Sequence, residues 1–110
     1  MHTATTAGNL LLLPHNAGIA IIDTATIVRI QAISNYSKLF FSDNSTLVVA
    51  KVLKWFEGKL DAHDFLRIHR THLVNKQFIQ QYVNDGSIQL KNGESFGISK
   101  RRKAWFLRSL

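Results

Sequence analysis

The sequence has no cysteine, so neither a disulfide framework nor a thiolate metal site can form. It has one proline, Pro14, and no Pro-rich linker of the kind that separates two domains. Its apolar runs, such as residues 10–13, are far too short for a signal-peptide core or a membrane span. These absences favour a single globular domain, which we expect to be cytoplasmic.

Acidic residues are also few, with 7 Asp and Glu against 14 Lys and Arg, which gives a net charge of +7. No acidic residue follows Glu94, whereas the last eleven residues carry five cations: Lys100, Arg101, Arg102, Lys103 and Arg108. Such an excess favours binding to a polyanion. Nucleic acid is the first candidate, and an anionic membrane surface is the second.

Short apolar segments separated by turn residues predict mainly β-strands. Segments 38–42 and 46–49 flank an Asp-Asn-Ser loop and predict a hairpin. A second hairpin is predicted around Asn92-Gly93, because two segments of alternating polarity flank a dipeptide that tolerates positive φ.

Helical spacing is found in one segment, where Leu53, Phe56 and Leu60 share a face. We predict a helix over residues 49–59 and no other. A chain with so little helix does not fit a helix-turn-helix or a homeodomain, which carry their contacts into the groove on a helix. If the protein binds DNA, we expect loops or strands to make the contacts.

Three segments together resemble a known family. Residues 27–38 run from a strand into an Asn35-Tyr36 loop, residues 65–75 read FLRIHRTHLVN, and Asn92-Gly93 is followed by ISKRR at 98–102. This order and spacing resemble the LytTR family of DNA-binding domains over residues 10–110, and leave residues 1–9 as a loose N-terminal segment.

The resemblance implies an all-β, elongated domain of about ten short strands in three small antiparallel sheets with one main helix. It also implies a transcription regulator that needs no cofactor and binds double-stranded DNA. Loops at the two ends would enter successive major grooves, and the middle of the domain would face the minor groove between them. Direct-repeat sites would place a second copy on the same DNA, and we expect a monomer in solution.

Carried over residue by residue, the resemblance assigns DNA contacts to three places in the chain. They are Asn35, Ser37 and Lys38 in the first loop, His69, Arg70 and Thr71 in the centre, and Ser99, Lys100, Arg101 and Arg102 in the last loop. Arginines of the last loop suit guanine readout, because a guanidinium can donate two hydrogen bonds to O6 and N7. Arg70 suits a narrow minor groove, and Ser99, Thr71 and Lys38 suit phosphates.

Several positions depart from the family pattern or have structural interpretations. Ser37 stands where the family has its first base-reading side chain, and Ile33 stands where a polar residue is usual. Gln31 replaces a common Glu. We expect Tyr36 to be half-buried, and Asn75 to hold an irregular loop through backbone hydrogen bonds.

Other functions are weighed against this one. His63, His69 and His72 suggest a metal site, but residues three apart in a strand face opposite sides, so we expect none. A binder of single-stranded DNA or RNA would have a similar charge. A phosphodiester-cleaving enzyme could use His69 as acid or base, but nothing supplies a second catalytic group, so we do not expect an enzyme.

Overall fold

A computed structural model describes residues 9–110, so the predicted loose segment at residues 1–9 lies outside the described part except for Asn9. The described chain contains ten strands and two α-helices. The strands are β1 Leu10–His15, β2 Gly18–Asp23, β3 Ile27–Ile33, β4 Tyr36–Phe41, β5 Thr46–Val49, β6 Phe65–His69, β7 His72–Asn75, β8 Ile79–Val83, β9 Ser87–Leu90 and β10 Ser95–Gly97. The helices are α1 Leu53–Lys59 and α2 Lys100–Arg108, and neither is long and apolar enough to cross a membrane.

The strands form three antiparallel sheets, which confirms the predicted fold class. The central sheet has five strands in the order β5-β4-β3-β7-β6. The hairpin β1-β2 forms one small sheet, and β8, β9 and β10 form the other.

The central sheet is covered on both faces where β6 and β7 lie. Leu73 belongs to a core that includes α1 and the β1-β2 hairpin, whereas its neighbour Val74 belongs to a core with α2 and the β8-β9-β10 sheet. Because successive strand residues point to opposite faces, these two cores lie on opposite sides of the sheet. The apolar runs of β6 and β7 follow from burial on both faces.

Both predicted hairpins are confirmed. Strands β4 and β5 pair around the 42–45 turn, and β9 and β10 pair around Asn92-Gly93. Gly93 has a φ of 95°, a left-handed conformation that glycine adopts without the steric cost of a Cβ. The turn residues identified in the sequence are therefore the residues that reverse the chain.

The helix predictions need two corrections. Helix α1 begins at Leu53 instead of residue 49, because Val49 pairs with Ser37 in β5 and buries its side chain there. Helix α2 was not predicted at all. Its first turn is made of exposed or half-buried cations, and Phe106 is the one residue of α2 that is fully buried, so its apolar stripe is weak.

Asn75 has the scaffold role that we predicted. Its side chain is 2% exposed, and Nδ2 donates to the Ile27 carbonyl at 2.9 Å while Oδ1 accepts from the Gln77 amide at 2.9 Å. The side-chain amide of Asn75 therefore fixes the end of β7 against the start of β3. The same side chain caps the short turn that leads into β8.

Candidate nucleic-acid interface

The pairing of the central strands brings the three predicted contact segments to one end of the sheet. Ile33 pairs with Tyr36 at the β3-β4 turn, and His69 pairs with His72 at the β6-β7 turn. Since β3 and β7 are neighbours, these two turns lie side by side, and the Ala32 amide donates to the Thr71 carbonyl at 2.9 Å.

The third segment joins the same end through a backbone hydrogen bond. The Ser99 amide donates to the Ile68 carbonyl at 2.9 Å, which seats the start of α2 beside the end of β6. We call residues 34–38 the first segment, 69–71 the second segment and 99–102 the third segment. They follow one another across the sheet end in that order.

The first segment turns on Ser34, whose φ of 57° places it in the left-handed region. Asn35 at the tip is exposed, and Lys38 is half-buried with its Nζ 5.2 Å from the centre of the Phe40 ring. Both side chains can reach a ligand that approaches this end of the sheet. Tyr36 is 50% exposed, more open than the half-buried position that we predicted.

Ser37 is a correction, because the structure buries the side chain that we expected to contact DNA. It is 0% exposed, and its Oγ donates to the Lys51 carbonyl at 2.6 Å. It points to the α1 side of the sheet, as Leu39 does two residues later. Ser37 therefore holds β4 to the chain that leads into α1, and it is not available for base reading.

The second segment presents Arg70, which is exposed at the tip of the β6-β7 turn. The Thr71 amide donates to His69 Nδ1 at 3.3 Å, and Thr71 Oγ1 lies 2.9 Å from the same nitrogen. Because Nδ1 accepts from a backbone amide, the neutral ring carries its proton on Nε2. His69 can therefore donate a hydrogen bond from Nε2, although the ring itself is half-buried.

Arg67 holds the backbone of the second segment in place, a role that was not predicted from the sequence. Its Nε donates to the His69 carbonyl at 2.9 Å, and other guanidinium hydrogens bond the Arg70 carbonyl and the Glu57 carboxylate. The turn that carries Arg70 is thus fixed to α1. The bulge between Arg67 and His69 leaves Arg67 opposite Leu73, on the α1 side of the sheet, and His69 opposite His72, on the other side. No sequence pattern identifies Glu57 as the partner of Arg67.

The third segment is the first turn of a helix, not the loop that we predicted. Ser99 is the N-cap of α2, and Lys100 and Arg101 are exposed just inside it. Arg102 is partly covered, and burial together with the charges of Arg67 and Arg101 lowers the pKa of its guanidinium. The side-chain Oγ of Ser99 is buried, with no hydrogen-bond partner in the described part of the chain.

A partly buried ion pair links the central sheet to the segment that leads into α2. Arg29 of β3 is 6% exposed, and its Nη2 donates to Glu94 Oε2 at 2.9 Å while its Nε donates to Glu94 Oε1 at 3.1 Å. Its guanidinium lies 3.6 Å from the centre of the Phe40 ring and 4.8 Å from that of Phe96. Hydrogen bonding from Arg29 lowers the pKa of Glu94. The pair therefore fixes β10, and with it the start of α2, against the five-stranded sheet.

The three histidines do not form the arrangement that we inferred. His69 and His72 lie on two strands and face each other across the β6-β7 turn, with ring centres 5.9 Å apart, so the argument from a single strand was wrong. Within residues 9–110, however, no group of three or more His, Asp or Glu side chains could hold a metal ion.

His72 gives the fold a pH dependence. Burial, followed by the nearby charges of Arg29 and His69, lowers its pKa below the ordinary value of 6.5. The unfolded chain therefore binds this proton more readily than the folded chain does, so acid favours unfolding. We expect the free energy of unfolding to decrease as the pH falls below about 6.5. A His72→Gln variant should lose that part of the decrease in urea titrations at pH 7.5, 6.5 and 5.5, and an unchanged pH profile in the variant would contradict this.

Comparison with known proteins adds family and fold to this geometry. The family model of the LytTr DNA-binding domain matches residues 17–110, which excludes β1. Among solved structures, the LytTr DNA-binding domain of a Bacillus cereus protein, described as a methyl-accepting/DNA response regulator, is similar with a TM-score of 0.75 and 19% identity. The similarity covers 92% of this chain and 95% of that one. No curated protein matches the sequence.

Proposed function

The chain belongs to the LytTR family of DNA-binding domains, and from that premise we propose that it is a transcription regulator that binds duplex DNA sequence-specifically through the first, second and third segments. In this proposal, the first and third segments enter successive major grooves. Arg70 of the second segment enters the minor groove between them.

The convergence of three separate parts of the chain at one sheet end carries this proposal. Between them they present exposed Asn35, Arg70, Lys100 and Arg101, and no acidic side chain lies within any of the three segments. The two turns of the central sheet are two strand spacings apart, about 10 Å.

Each group has a distinct part in the proposed contact. Arg101 donates to a guanine edge, and Lys38 and Thr71 contact phosphates, as does Ser99 after rotation of its side chain. The amides at the start of α2 add a partial positive charge that suits a phosphate. His69 donates from Nε2, and Ser37 takes no part because it is buried.

Two copies would bind direct-repeat sites side by side, with a monomer in solution. Two alternative functions are a single-strand binder and a phosphodiester-cleaving enzyme. The rings of Phe56 and Phe106 are buried, and the exposed Tyr36 and Trp105 lie on different elements, so the structure gives no specific support to base stacking. The Nδ1 of His69 is occupied by its own turn, which does not favour an enzyme. The family is one of DNA-binding domains and not of enzymes.

Selection from a randomised duplex pool tests this function. The protein should recover a motif, and the recovered duplex should compete for the protein better than a scrambled duplex or either single strand at roughly physiological salt. A protein that bound the single strands at least as well as the duplex would be a single-strand binder. Consumption of the DNA with turnover, abolished in His69→Ala, would identify an enzyme.

Lys38→Ala should weaken binding to the recovered duplex and to random duplex about equally. A phosphate contact carries no base information, and its loss should reduce the slope of log affinity against log salt concentration by about one. Titrations of both duplexes at several salt concentrations measure this. Lys91→Ala is the matched control, since Lys91 is exposed near the β9-β10 turn, away from Ser99. A loss confined to the recovered duplex would instead make Lys38 a base-reading residue.

A further inference from the structure

Two apolar side chains lie directly beside the tip of the first segment. Ile33 and Tyr36 are the last pair of the β3-β4 hairpin, and they are 44% and 50% exposed. Residues directly opposite in an antiparallel pair point to the same face of the sheet. The two side chains therefore form one apolar patch against the Ser34-Asn35 turn.

This patch shares its face with the first segment's cation and lies on the opposite side of the sheet from the core that contains α1. Lys38 follows Tyr36 by two residues, so both point to the same side of β4, whereas Ser37 between them is buried on the other side. Ile33 and Tyr36 are thus the exposed residues that flank the turn. Ser37 is not accessible, because it is buried and its Oγ donates to the Lys51 carbonyl. A DNA edge that meets Asn35 and Lys38 also meets Ile33.

The side chain of Ile33 is apolar, so it should contact an apolar group on the DNA. Isoleucine has no hydrogen-bonding group, and the one apolar group that a base pair presents in the major groove is the C5 methyl of thymine. We propose that Ile33, supported by Tyr36, contacts the C5 methyl group of a thymine and so determines base preference in the half-site bound by the first segment. This inference rests on the proposed function, and it assigns the base reading of the first segment to Ile33 in place of Ser37.

Single replacement of each thymine in the recovered duplex by deoxyuridine tests the contact, because it removes the C5 methyl and nothing else. For the wild-type protein, the affinity measured by fluorescence anisotropy should fall at one thymine by about fourfold, the effect expected for one buried methyl group. Ile33→Ala should bind the thymine and deoxyuridine duplexes equally. Ile33 is exposed, so both Ile33→Ala and a second variant, Ile33→Ser, should fold.

Val48→Ala is the matched control. Val48 pairs with Lys38 on the same face of the sheet and is 53% exposed, but it lies farther from the turn. It should keep the full penalty for deoxyuridine. The inference is overturned if no thymine methyl matters to the wild type, if the half-site holds no thymine, or if both Ile33 variants keep the penalty. In each of these results the wild type still prefers its own duplex, whereas failure of the proposed function would remove that preference altogether.

Discussion

Replacing Arg101 with alanine is expected to weaken binding to the recovered duplex by about 10- to 100-fold, and binding to random duplex by only about threefold. Arg101 is exposed in the first turn of α2, at the end of the sheet where the second and third segments meet. A guanidinium that donates two hydrogen bonds to one guanine discriminates between bases, whereas its general attraction for phosphates is shared by all sequences.

Arg108→Ala is the matched control for this experiment. Arg108 lies on the same helix and is exposed, and its loss changes the net charge by the same amount. It stands seven residues further along, roughly 10 Å from Arg101 at 1.5 Å per residue, at the far end of α2. It should affect both duplexes by no more than about twofold. Equal losses on both duplexes for Arg101→Ala would remove its base-reading role and leave it a phosphate contact.

Glu94→Gln is expected to lower the free energy of unfolding by about 1.5 to 3 kcal/mol at pH 7. The variant leaves Arg29 buried between Phe40 and Phe96 without its countercharge, and removal of one member of a buried pair is costly. The expected value is below that for a fully buried pair, because the Glu94 side chain is 37% exposed and solvent screens its charge. Urea titration at pH 7 measures the change.

Arg29→Met provides the comparison for this pair. Methionine keeps the packing between the two rings and removes the unpaired buried charge, so the double variant Arg29→Met with Glu94→Gln should be more stable than Glu94→Gln alone. The benefit of the pair should also depend on pH. Because the pKa of Glu94 is lowered from 4.5, its stabilisation is complete above that pH and is lost as the pH falls through the folded-state pKa. Equal stability of wild type and Glu94→Gln at pH 7 would contradict the proposed role of the pair.

Local chemistry was predictable from the sequence, and contacts between distant residues were not. The turn at Asn92-Gly93 and the role of Asn75 depend on residue types and their near neighbours, so both were predicted correctly. The Arg29 to Glu94 pair joins residues 65 apart, and Arg67 meets Glu57 across ten residues and two elements. No periodicity marks such partners, because the fold brings them together.

Two further predictions were wrong: the exposure of Ser37 in β4 and the conformation of the basic segment at residues 100–108. Ser37 was assigned a DNA contact from its position in the family resemblance, but the pairing of β4 with β3 and β5 decides which of its residues are buried, and it buries Ser37. Helix α2 was read as a loop because its cations dominate the sequence. The signal was present in the high helix propensity of Lys, Arg, Ala and Leu across 100–108.

Amide chemical shifts, recorded by NMR with and without the recovered duplex, test the proposed interface most directly. The largest changes should fall in the first, second and third segments, at residues 34–38, 69–71 and 99–102. The outer face of the β1-β2 hairpin, with Ile19 and Ile21 more than 60% exposed, should change little. Changes concentrated on that hairpin or on α1, with the three segments unperturbed, would contradict the account.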